Sequence, residues 1–459
     1  MNIHLTKKAI LALGAALALG GCGDLDIPDL DNPSLDDFRD NPSSSGVYSA
    51  ATGLLMGQRV GLAAVNGYVA ELGIIGREAY VFDPAEPRSV EELLGPTLDP
   101  GGPAFGGNFW TAPYANIRNA HTLMAALEKV PGVPDGEKEG IRGFTKTLMA
   151  LDFLVLINTR DTNGAVIDVN RPLGSELAPI ENKDVVLAHI ATLLDEAVGH
   201  LKAPGASFPF ALSSGFEGDD PNATTDDFNE PATFLTFNRA VRARVAVYQK
   251  DYPTALTALG QSFLSLTRPM SRGVYHVFST DSGDLDNSLN GSVVYAHPSI
   301  VTDAENKADG MVDDRVTRKT RVLPPDEAGT GGAGLLASNL AFNMYRNGNA
   351  DVPLIRNEEL ILLRAEANIG LRNFGAAVED INFIRTTSGG LAARADLNEA
   401  NILDELLKQK RYSLLFEGGH RWIDLRRYEK LDTLPRELDP SFAPHERFPI
   451  PAAEMDARQ

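Results

Sequence analysis

The chain has 459 residues, 43% of them apolar, enough to bury a large core in two or three lobes or in one elongated repeat domain. Its formal charge of −20 excludes a nucleic-acid backbone as partner, since phosphate binding needs a positive field, and it disfavours a bare anionic lipid surface. Cys22 is the only cysteine, so the chain can form no internal disulfide and no multi-cysteine metal site.

The first residues read as a processing signal. Lys7 and Lys8 precede the apolar run Ala9 to Leu19, which is too short to span a bilayer, and Leu19-Gly20-Gly21-Cys22 follows. The expected leader is 1–21. Its removal takes the formal charge to −22, because Lys7 and Lys8 go with it. Residues 22–45, rich in Asp, Pro, Asn and Ser, are expected to form an extended acidic tether ahead of a folded body over 46–459.

From Val47 to Gly76 the composition predicts one or two helices, and a long loop-like stretch with several prolines follows over 77–105. Helical spacing then places Tyr114, Ile117, His121 and Met124 on one face, and Ile141, Phe144, Leu148, Leu151 and Val155 on another, an αα-hairpin across the turn PGVPDG. Two further pairs share internal offsets. Ala243 and Ala255 stand twelve apart with Tyr252 and Leu259 beside the second, and Ala365 and Ala377 stand twelve apart with Phe374 and Ile381 in the matching places. Small residues at such positions let paired helices approach closely while the aromatic closes the turn, as in tetratricopeptide repeats. The expected fold is therefore mainly α. A helical-repeat frame (about 106–202, 232–266 and 352–431) carries irregular inserts at about 77–105, 203–231 and 268–350.

Near the end, Leu403, Leu406, Leu407 and Leu414 predict an amphipathic helix that stops at Gly418-Gly419. A second helix should follow, with Arg421, Asp424 and Arg427 at three-residue spacing around Trp422.

Catalytic and metal motifs are weak. Gly329-Thr330-Gly331-Gly332-Ala333-Gly334 has the spacing G-x-G-x-x-G, but the preceding RVLPPDEA cannot be the buried strand a dinucleotide turn needs, so a flexible loop is expected. Glu417 and His420 are a lone E-x-x-H where a di-metal bundle needs two. The acidic clusters Asp219 to Asp227 and Asp281 to Asn290 lack an EF-hand frame, so solvated loops are preferred over calcium sites. No catalytic residue, cofactor or metal ligand is assigned.

Phe416 to Arg427 (FEGGHRWIDLRR) resembles the C-terminal signature of the SusD/RagB family, with one extra residue at Gly419-His420. Pro353 to Ala367, containing PLIRNEE and LLRAEA, is similar to the family's long helix, Phe448-Pro449-Ile450-Pro451 to its closing strand-like segment, and Phe109 to Ala120 to its first repeat helix. Leu19 to Cys22 resembles the lipobox of bacterial lipoproteins. The resemblance implies about four tetratricopeptide-like helix pairs. It also implies lipidation at Cys22, a Gram-negative outer-membrane location at the cell surface, and a TonB-dependent outer-membrane transporter as partner. The implied function is non-catalytic capture of a nutrient, an oligosaccharide first, for delivery through that transporter. A lipid-anchored carbohydrate-active enzyme and a repeat scaffold for other proteins are the alternatives.

Sugar faces stack on aromatic rings. The loop residues Arg77, Tyr80, Phe82, Asp83 and Arg88 and the insert residues Tyr275, Phe278 and Tyr295 are thus the expected ligand surface. Phe416, Glu417, Arg421, Trp422, Asp424 and Arg427 are expected to be structural, with the four charged members satisfying one another and the two rings sealing the last repeat.

Overall fold

The computed structural model describes residues 35–101, 108–172, 174–218 and 227–459. The expected leader, Cys22, the tether as far as residue 34 and the acidic cluster over 219–226 lie outside the described residues. Leu35–Asp40 is helical, within the stretch expected to be extended.

The first helices follow the sequence signals. Helix α1 (Ser44–Arg59) starts where Ser43 Oγ accepts the Gly46 N–H at 3.1 Å, and α2 (Tyr68–Ile75) is buried along its length. A short strand, β1 (Ala79–Val81), comes next. Helices α3 (Asn108–Lys129) and α4 (Asp135–Arg160) form the first hairpin, and α5 (Lys183–Leu201), capped by Asn182 Oδ1 on Val185 N at 3.1 Å, packs on α4. The face of α4 is the expected one except for Val155, which is half-buried. On α3 the buried stripe is rotated from the expected one. Asn116, Ile117, Ala120, Leu123 and Leu127 are buried, while Tyr114, His121 and Met124 sit at its margin, because α1 as well as α4 packs on this helix.

Helices α6 (Pro231–Tyr248) and α7 (Tyr252–Gly260) form the next pair, and α9 (Asn357–Gly370) and α10 (Phe374–Thr387) the last, counting the short α8 (Asp314–Lys319) between them. Ala243, Ala255, Ala365 and Ala377 are all wholly buried, as close helix packing requires. The two pairs touch through Tyr252, whose ring lies so close to Gly370 that a Cβ there would stand 2.1 Å from it.

The insert between these pairs is closed at its base. Strand β2 (Gly273–His276) pairs antiparallel with β8 (Val352–Arg356), so the excursion leaves and re-enters the frame at one place. Within it, β3 (Val294–Ala296) pairs with β1 across the chain, β4 (Thr320–Val322) pairs with β7 (Leu340–Phe342), and β5 (Gly329–Gly331) pairs with β6 (Leu336–Ser338). The glycine-rich stretch is therefore a β-hairpin, not a flexible loop.

Helix α11 (Ile402–Ser413) ends before the expected Gly418-Gly419 stop. The carbonyl of Ser413 is taken by Lys319 Nζ and Arg356 Nη2, and Phe416 then reverses the chain at φ 58°. Helix α12 (His420–Arg427) follows. Phe448 to Pro451 joins no sheet. Phe448 instead stacks edge-on with Phe109 and Trp422, centroids 5.6 and 5.9 Å away, and its N–H donates to Thr159 O. Among the described residues no helix is long and apolar enough to cross a membrane.

Candidate functional site

The 77–88 loop and the 268–300 insert, far apart in the chain, meet in the β1–β3 ladder, where Tyr80 is the register partner of Tyr295. Alternation along β1 sends Tyr80 and Phe82 to one face of the ladder or its edge, and the rings line up. Tyr80 stacks on Phe82 (5.0 Å, 24°), Phe82 leans on Tyr295 (5.4 Å), and His297 lies 4.8 Å from Tyr80. The β5 hairpin covers this row. A Cβ on Gly329 would stand 2.3 Å from the Tyr295 ring, and one on Gly331 2.3 Å from Phe82. The glycines thus serve close approach to rings, which spacing alone could not distinguish from a phosphate cradle.

Behind the rings is a polar clamp. The Ser299 N–H donates to His297 Nδ1 at 3.0 Å, so the ring proton sits on Nε2 and is given to Glu437 Oε1 at 2.7 Å. The Tyr80 hydroxyl donates to the same oxygen, and Arg77 Nε lies 3.7 Å from the other while donating to Pro435 O. Burial opposes ionisation of Glu437, but the His297 and Tyr80 hydrogen bonds and the Arg77 charge hold its pKa below the usual range. His297 and Glu437 stood out in no way in the sequence, because a through-space clamp has no local spacing.

This arrangement leaves little of the expected ligand surface open. Arg77, Tyr80, Phe278 and Tyr295 are buried, Phe278 beneath the Arg59 guanidinium. Asp83 accepts from the Ala85 N–H, and Arg88 pairs with Glu86. Phe82 and Tyr275 are half-buried.

Two clefts flank these residues, and Tyr345 lies in both walls. One, of about 440 Å³, is lined by Tyr295, Asn290, Ser292, Arg321 and Asp326. The other, of about 530 Å³, is lined by Tyr275, Met270, Met344, Arg318 and Asp351. Of the aromatic side chains in the two walls, Tyr275 alone is not buried. Sequence reasoning missed Arg318, Arg321, Asp326, Tyr345 and Asp351, since the 268–350 insert offers no periodicity to orient them.

The larger cleft rests on a buried ion network. Arg356 Nε is 2.8 Å from Glu417 Oε2, Lys319 Nζ is 2.7 Å from Glu417 Oε1, and Arg356 Nη1 pairs with Glu358. Glu358 is buried, which alone would raise its pKa, yet the charges of Arg356 and Lys319 pull it down to about 2.

Glu417 therefore does not pair within its own motif, as had been expected. Nor does Arg421 pair with Asp424; its Nη1 donates to Arg77 O at 2.7 Å. Asp424 pairs with Arg427 at 2.7 Å and with Lys410 at 2.7 Å, and Glu366 joins Lys410 to Arg427. The rings do pack as seals. Phe416 stacks on Phe342 at 4.0 Å, and Trp422, wholly buried, gives its indole N–H to His445 O at 2.8 Å. His420 Nε2 is 4.0 Å from Glu359 and Glu417 is bound to cations, so the lone E-x-x-H does not converge. Among the described residues no group of three or more His, Cys, Asp or Glu is placed to hold a metal ion.

Residues 336–457 match the model of the SusD family. No curated protein matches the chain in sequence. Solved structures match over most of its length. A SusD superfamily protein from Bacteroides vulgatus ATCC 8482 superposes with a TM-score of 0.66 at 14% identity, over 90% of this chain and 96% of that one. A laminarin binding SusD-like protein gives 0.65 at 18% identity, over 91% and 98%. Surface glycan-binding protein A from Bacteroides thetaiotaomicron, in complex with laminarihexaose, gives 0.65 at 14%, over 91% and 98%. At such identities the likeness is one of fold.

Proposed function

We propose that this chain, which shares the fold of SusD-like proteins and matches the SusD family model over residues 336–457, captures an oligosaccharide at the paired clefts and delivers it to a TonB-dependent outer-membrane transporter. Two of its structural neighbours are described as binding laminarin or laminarihexaose. The observation that most supports a saccharide here is the 530 Å³ cleft in which the half-buried Tyr275 ring shares a wall with Arg318 and Asp351. An aromatic face suits the C–H side of a pyranose, and a guanidinium and a carboxylate bond its hydroxyls. Arg321 and Asp326 offer the same polar groups in the neighbouring cleft, where the Tyr295 ring is buried.

Capture needs no reaction. Two of the three carboxylates lining the larger cleft, Glu358 and Glu417, are committed to Arg356 and Lys319, while burial raises the pKa of the third, Asp351. Acylation of Cys22 would tether the body to the outer membrane, as the lipobox-like end of the leader suggests.

The test is calorimetry of the purified chain against a glycan panel that includes laminarihexaose, repeated with Tyr275→Ala and Arg318→Ala. Saturable binding without product, weakened at least tenfold by either substitution, is expected. Turnover of a glycan, or affinity indifferent to both substitutions, would overturn the placement. Copurification of a large barrel protein from outer membranes, and its loss with Cys22→Ala, test the delivery step.

A further inference from the structure

A third cleft, of about 370 Å³, lies between helices α11 and α12 and shares no lining residue with the two described above. In a chain of net charge −20 its wall holds five cationic side chains and three carboxylates. All the cations but one have a carboxylate partner. Lys430 pairs with Asp404 at 2.9 Å, Lys408 with Glu305 at 3.1 Å, Arg411 with Asp303 at 2.8 Å, and Lys410 belongs to the neutral ring with Glu366, Asp424 and Arg427. The exception is Arg421.

Among the described residues Arg421 makes no ion pair, and its hydrogen bond to Arg77 O uses one corner of the guanidinium. The largest charge effect on it is the like charge of Arg411, whose Nε is itself buried without a partner among the described residues; Asp303, paired with Arg411, opposes that effect from the same wall. Behind it stands Glu78, wholly buried and outside ion-pair distance. Burial, with the Arg411 charge, lowers the Arg421 pKa to about 9 against the opposing pull of Glu78 and Asp303. A guanidinium fork matches a carboxylate in shape and charge, and a single monoanion would neutralise the excess.

We propose that the cleft between α11 and α12 is a second binding site, for one carboxylate group of a small ligand, held by Arg421 with Arg411 and with Lys408 and Lys430 at the sides. The carboxylate can come from an acidic sugar or from a simple organic acid. The site acts independently of the neutral-saccharide clefts.

Calorimetry of the full chain at low salt with glucuronate, acetate and glucose tests this, with Arg421→Gln as the variant and its fold checked by thermal melting. Saturable glucuronate binding, at least tenfold weaker in Arg421→Gln and absent for glucose, is the expected result. Acetate binding as tight as glucuronate would support the carboxylate site and overturn the sugar as its source. No saturable binding of either acid, equal binding by folded Arg421→Gln, or equal binding of glucose would overturn the proposal. If Arg421→Gln does not fold, Lys408→Gln/Lys430→Gln decides, since both side chains are at the surface. A threefold or greater loss is expected there, and unchanged affinity overturns the site. Tyr275→Ala should leave glucuronate binding intact, which separates this site from the saccharide clefts.

Discussion

Lys410 Nζ lies 2.7 Å from Asp424 Oδ2, tying the C-terminal turn of α11 to the middle of α12. The contact is one side of a closed square. Lys410 also reaches Glu366 at 2.8 Å, Arg427 reaches both acids, and all four side chains are buried. Two cations and two anions in alternation carry no net charge, so α9, the first helix of the last pair, is locked to the C-terminal signature.

Asp424→Ala should break that square at its most constrained corner. Lys410 and Arg427 would then share one carboxylate in a dry site, and removing one partner of a buried pair costs about 3–5 kcal/mol. A urea midpoint lowered accordingly is expected, with glycan affinity of the remaining folded protein unchanged. An unaltered midpoint would contradict the structural role.

Acid should unfold the protein through Glu358 and Glu366. Burial of each is outweighed by neighbouring cations, Arg356 and Lys319 for the first and Arg427 and Lys410 for the second, so both pKa values fall to about 2. A depressed carboxylate contributes stability that is fully present above its unfolded pKa, near 4.5, and lost as pH falls through the folded value. Denaturant midpoints should therefore drop steeply between about pH 4.5 and 2.

Glu78 acts with the opposite sign. Burial raises its pKa to about 7 against the pull of Arg421 and Arg411. A raised carboxylate favours the folded state below its unfolded pKa and loses that contribution as pH rises through 7. Wild-type protein should lose up to about 3 kcal/mol from this group between pH 5 and 8, and Glu78→Gln should lack that loss. Parallel pH profiles of the two proteins would refute it.

Gly331→Ala would drive a Cβ to 2.3 Å from the Phe82 ring, and Gly329→Ala would do the same at Tyr295. Overpacking of this kind costs about 1–3 kcal/mol. Because Tyr295 lines the 440 Å³ cleft, Gly329→Ala should also alter glycan affinity there, and calorimetry beside thermal melting separates the two effects.

Ala377→Leu tests the repeat frame. Ala377 is wholly buried where α10 meets α9, so the larger side chain should destabilise by about 1–3 kcal/mol without touching either saccharide cleft. Denaturant unfolding with a parallel glycan titration checks both halves of that statement.

The sequence by itself determined the repeat pairs, the small residues at their crossings and the C-terminal signature, because helical period and close-packing demands are written at local spacings such as Ala243 to Ala255 and Ala365 to Ala377. The 77–88 loop and the later insert, expected to share a ligand surface, do meet through the Tyr80–Tyr295 register, but the meeting buries Arg77, Tyr80, Phe278 and Tyr295. Tertiary structure decided which charges pair and which rings stay open. Glu417 finds Arg356 and Lys319, 61 and 98 residues away, in preference to the arginines of its own motif. Coulombic pairing and desolvation act through space, so no spacing along the chain could show that Tyr295 is sealed beneath a glycine hairpin, that Tyr275 is not, or that Arg421 alone among the cations of its cleft has no carboxylate partner among the described residues.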